Sequence, residues 1–145
     1  MLHKSTRRAM GVAAALAAAT GAFVLTAPAA GAAPSAGSCH TQLVNANIPL
    51  GQSAYAVEFG VEQGPFAHDF VYGDLATARG YLKGTQCAGV ADVVRAEVTL
   101  ALAKIDAGEA SLRAGDWASS AAALGQAENA VSSASSEVWR LAHPS

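Results

Sequence analysis

The sequence predicts an all-α fold: a small antiparallel bundle of about four helices, with a long C-terminal helical hairpin and one disulfide. Three observations predict it. Apolar or small residues recur at steps of three and four along two long stretches, Cys87 to Leu112 and Trp117 to Leu141, the spacing of one helical face. A shorter stretch, Val71, Leu75, Ala78 and Leu82, repeats the pattern. The chain has only two cysteines, Cys39 and Cys87, without C-x-x-C spacing.

Taken in order, residues 1–32 read as an export signal. Lys4, Arg7 and Arg8 precede the uncharged run "AMGVAAALAAATGAFVL", and small residues follow. Ala30-Gly31-Ala32 is the preferred cleavage site, placing the mature start at Ala33, with Ala27-Pro28-Ala29 second. The run is short of the ~20 strongly apolar residues of a membrane span, so no stable anchor is expected once the signal is removed. The Arg7-Arg8 pair leaves twin-arginine export open beside general secretion. "AGSC" before Cys39 resembles a lipoprotein box, but Ala36 replaces the usual Leu and lipidation would strand Cys87, so ordinary secretion is preferred. In an oxidising compartment the two cysteines read as one disulfide, worth about 4 kcal/mol in the chain-entropy model.

Residues 33–38 then form a flexible lead-in, 39–142 the helical domain and 143–145 a tail. Residues 41–63 admit two readings. Val44, Ala46, Ile48 and Leu50 alternate, as do Tyr55, Val57, Phe59 and Val61, which suits a β-hairpin turning at 49–53. Ala54, Val57 and Val61 also suit a helix, and an isolated two-stranded ribbon is marginal; helix is preferred. Gly64-Pro65 is expected as a breaker before a helix over 68–83 that stops at Gly84. The third helix is expected to begin at Cys87, so that the disulfide pins the N-terminal segment to its start. At "RAGDWA", Gly115 is placed to end it in the left-handed conformation and Asp116 to cap the fourth helix. The seam of this hairpin is mostly Ala, Gly and Val, which predicts close packing with no room for a ligand between the two helices. Trp117 and Trp139 are read as packing anchors.

Within the hairpin, "AGEASLRAGDWASSAAALGQA" resembles one tetratricopeptide repeat unit over residues 101–131, with Gly108 at the crossing, Trp117 at an aromatic position, and Leu124 and Ala127 on the second helix. Ser120 stands where that family prefers Ala, and Ser132 where it has a terminal Pro. The chain holds one copy, whereas a solenoid needs about three, so the resemblance implies a hairpin geometry and not the family's peptide-binding role.

Removal of the leader leaves six basic residues against eleven acidic ones. That balance offers no basic stripe for nucleic acid or an anionic membrane. A nucleophile elbow, a phosphate loop, a dinucleotide fingerprint and C-x-x-C-H are all missing. A helical enzyme of the chorismate mutase kind needs converging cations, yet Arg95, Lys104 and Arg113 fall at different angles on one helix. No metal site is expected, since His40 and His143 stand apart from any carboxylate cluster. The remaining candidate is "AHDFVYGDL": His68 and Tyr72 lie one helical turn apart, and Tyr55 and Phe59 could wall a flat apolar ligand such as haem. The expectation is a secreted, non-catalytic binding module that meets its partner, an unknown protein or small apolar ligand, through its aromatic N-terminal half: Tyr55, Phe59, Phe66, Phe70, Tyr72 and Tyr81. An extracytoplasmic carrier of haem is the alternative.

Overall fold

The computed structural model describes residues 35–60 and 64–145, and for residues 64–68 the backbone alone. The export-signal reading of 1–32 lies outside the described residues. Among the described residues four helices follow one another: α1 (Ala36–Glu58), α2 (Gly64–Leu82), α3 (Asp92–Arg113) and α4 (Trp117–Ala142), with a 3-10 turn at Thr85–Cys87 between α2 and α3. The all-α bundle and its disulfide are therefore as expected.

Helix α1 starts within the stretch expected to be a flexible lead-in. The Ser35 hydroxyl accepts the Ser38 N–H at 3.1 Å, satisfying one donor of the first turn, so residues 36–38 are already helical. The helix runs through the disputed 41–58 region, and Pro49 is buried inside it. The alternation that suggested strands comes from two rows on opposite faces of the helix. Ala46 and Leu50 point inward, while Val44 and Ile48 point out, and each pair is spaced i, i+4. Gly60, at φ +54°, follows the helix end.

Gly64 and Pro65 belong to the first turn of α2 rather than preceding it. A first-turn N–H has no intrahelical acceptor, so proline gives up nothing there. Val71, Leu75, Ala78 and Leu82 are buried as the spacing requires.

Helix α3 begins at Asp92 and not at Cys87. Cys87 lies in the 3-10 turn, and Gly84 and Gly89 bracket a connector that does not propagate a helix. The Cys39–Cys87 disulfide, with Cα atoms 4.6 Å apart, thus ties the first turns of α1 to this connector, not to α3. It uses the Cys39 sulfur that a lipid anchor would need. Gln42, buried beside it, holds the same corner, donating to Gly84 O at 3.3 Å and accepting from Gln86 N–H at 3.0 Å.

The turn between α3 and α4 follows its sequence signals. Gly115 has φ +77°, Asp116 N–H reaches back to Ser111 O and Gly115 N–H to Leu112 O, which is a Schellman ending. Asp116 then caps α4, accepting from Ser119 N–H at 3.0 Å. Helix α4 lies between α1 and α3 and packs closely on both, α1 packs on α2, and the α2–α3 edge is the thinnest. Charge closes that edge: Arg79 meets Asp106 and Glu109 at 2.9 Å each.

Candidate functional site

Site chemistry starts from what α1 leaves in water. From Ala36 to Val57 the helix carries no Asp, Glu, Lys or Arg. Its inward rows fill the core with Cys39, Leu43, Ala46, Leu50, Ala54 and Val57. Its outward row is also apolar: Val44 is 41 % exposed, Ile48 58 %, Tyr55 61 % and Phe59 62 %. Positions 44, 48, 55 and 59 are separated by four, seven and four residues, which keeps them along one line of the helix. The Tyr55 and Phe59 rings touch, with centroids 4.6 Å apart.

Shallow grooves flank this ridge. Toward α4, a groove of about 340 Å³ is lined by Leu43, Val44, Asn47, Ile48, Ser132, Ser135 and Ser136. Asn47 Oδ1 there is buried without a hydrogen-bond partner among the described residues. Toward the α2–α3 connector, a cleft of about 580 Å³ is lined by Ser38, Thr41, Gln42, Asn45, Gly80, Tyr81, Gly84, Thr85 and Gln86. Neither lining contains a carboxylate, an ammonium, a guanidinium or an imidazole, so neither groove offers general acid–base groups or paired ions.

The residues singled out in the sequence fall on different parts of this frame. Tyr55 and Phe59 come together at the C-terminal end of the α1 ridge. Tyr72 is half-buried and faces α3, where the Arg113 guanidinium sits 4.7 Å above its ring. One face of the phenol that could have stacked on a flat ligand is taken by that cation. The His68 side chain lies outside the described residues. Phe70 and Tyr81 are exposed.

Trp139 is not the core anchor it was read as, being 54 % exposed. It stacks on His143 at 3.8 Å, with His40 5.5 Å away on α1. Its position two residues before Leu141, itself exposed, places it beyond the last inward residue, Val138. Trp117 is half-buried and packs against the core as expected. Ser135 Oγ lies 3.1 Å from His40 Nδ1, the approach of a nucleophile and a base. No carboxylate bonds to His40 among the described residues. Ser135 also stands in the middle of α4, where neighbouring N–H groups are committed to the helix and cannot stabilise an oxyanion. No group of three His, Cys, Asp or Glu among the described residues is placed to hold a metal ion.

Val44 and Ile48 enter the sequence reading only through the β-hairpin alternative, and the preferred helix is argued from Ala54, Val57 and Val61, so which way 44 and 48 face is not part of it. The signal that finds them is the absence of charge from Ala9 to Val57, combined with i, i+4 spacing once a helix is assumed. Compared with protein-family models, curated proteins and solved structures, the chain finds no match in any of the three.

Proposed function

We propose that this chain is an exported, non-catalytic helical interaction module, and that its contact surface is the outer face of α1. The observation that carries the reading is the uncharged ridge of Val44, Ile48, Tyr55 and Phe59 between two uncharged grooves. Charged residues make up about a quarter of an average chain, and their depletion with aromatic enrichment marks the centre of interfaces. Export is supported by the leader composition and by the Cys39–Cys87 bond, which persists in oxidising compartments. Among the described residues no helix is long and apolar enough to cross a membrane. The haem alternative loses support where Arg113 covers Tyr72.

Site-specific photo-crosslinking tests the reading. A photoreactive phenylalanine analogue at Ile48, in the chain produced and exported by a bacterial host, should give discrete protein adducts. The same group at exposed Thr99 on α3 should give none. Equal labelling at both positions, or no adduct at Ile48, contradicts the reading.

A further inference from the structure

We propose that the occupant of the α1 ridge is a second copy of this chain, docked antiparallel about a two-fold axis that passes between Gly51 and Gln52. The proposal rests on reading the ridge as the contact surface and names what covers it. A two-fold interface must be self-complementary, each patch meeting its own copy in reverse. The ridge has that property in its spacing. Residues 44 and 59 are equidistant from the point between 51 and 52, and so are 48 and 55. An antiparallel copy therefore sets Val44 beside the partner's Phe59 and Ile48 beside the partner's Tyr55. Each smaller aliphatic side chain receives a larger ring, the size pairing that lets helix surfaces interlock. Gly51, at the midpoint, faces the Glu128 carboxylate of α4, whose Oε1 lies 3.3 Å from where its Cβ would stand, so exposed Gln52 is the side chain nearest the axis.

Charge and area bear on the docking. From Val44 to Val57 α1 carries no Asp, Glu, Lys or Arg, and Glu58 stands at the end of the ridge beside Phe59. On α4, Arg140 and Glu137 pair with each other, while Glu128 stands beside the midpoint at Gly51. The four ridge side chains expose on the order of 400 Å². Two copies with their uncharged flanks reach about 1,200 Å², the lower end of stable interfaces.

Sedimentation velocity and light scattering of the exported chain, purified with its disulfide intact, test this. Docking through the ridge predicts that at ~100 µM the particle has twice the mass of one chain. Ile48→Glu and Tyr55→Lys, made separately at exposed positions, should each weaken the dimer at least ~10-fold while leaving the helical circular dichroism unchanged. Mixing the two variants should restore the dimer, because the two-fold brings the new carboxylate to the new ammonium. A wild-type monomer at ~100 µM overturns the proposal. So does a dimer indifferent to both substitutions, or a mixture that stays monomeric. A monomer that still gives Ile48 crosslinks to other proteins would overturn the second copy while leaving the interaction reading in place.

Discussion

A Cβ built on Gly108 would stand 2.7 Å from Leu124 Cδ2 and 2.8 Å from Cγ, inside any tolerated contact. Leu124 is fully buried and has nowhere to retreat. Ser120, one turn before it on α4, donates its hydroxyl to Gly108 O at 2.7 Å, so the same crossing satisfies a buried polar group. Gly108→Ala should gain about 1 kcal/mol of helix propensity and lose more to overpacking, which costs about 1–3 kcal/mol. The net loss should shrink in the Leu124→Ala background, where the space has been vacated. Urea unfolding of the two single variants and the double variant measures that coupling. Asp74 is a residue-scale case of opposite sign. One carboxylate oxygen is buried without a partner among the described residues, and desolvation raises its pKa. The folded state therefore resists ionisation of this group, a penalty that sets in as pH rises through the carboxylate range and is complete at neutrality. Asp74→Asn should raise the Tm slightly at pH 7, and the difference should vanish below about pH 4. A gain that persists in acid would contradict the assignment.

At the scale of elements, the four helices divide by how they are joined. Helices α3 and α4 pack closely, and their buried residues mix the small side chains read from the sequence, Ala101, Gly108, Ala127 and Ala134, with Ile105, Leu112 and Leu124. Helices α2 and α3 meet thinly and rely on Arg79, whose side chain is largely buried between Asp106 and Glu109. Arg79→Ala should cost about 1–2 kcal/mol, between an exposed pair and a buried one, and hydrogen exchange should rise along α2 before it rises along α4. The same contrast explains what was legible beforehand. The stripes of α2, α3 and α4 could be read because each buries one face and puts charge on the other. Helix α1 could not be bounded, because it has apolar residues on both faces and a proline inside, so period two and period 3.6 fit it equally. The start of α3 was misplaced for a related reason: Cys87 and Ala91 extend its stripe in register, and only Gly89 between them signals the break.

For the whole molecule, one covalent bond does what a larger core does in bigger domains. The loop between Cys39 and Cys87 spans 48 positions, so Cys39→Ala with Cys87→Ala should lower the unfolding free energy by about 4 kcal/mol. A domain of this size has about 5–15 kcal/mol in total, and urea midpoints should show the drop. The candidate site was half legible: Tyr55 and Phe59 were chosen for their aromaticity, whereas Val44 and Ile48 needed the fold to show which way α1 faces. Those four residues carry the central claim, that two copies of the chain meet through the outer face of α1. Hydroxyl-radical footprinting tests it most directly, using Phe70, which is 56 % exposed on α2, as the internal reference for Phe59. The ratio of Phe59 to Phe70 oxidation should fall severalfold between ~1 µM and ~100 µM protein, as the ridge is covered by a second copy. A ratio that stays constant across that range would contradict the account.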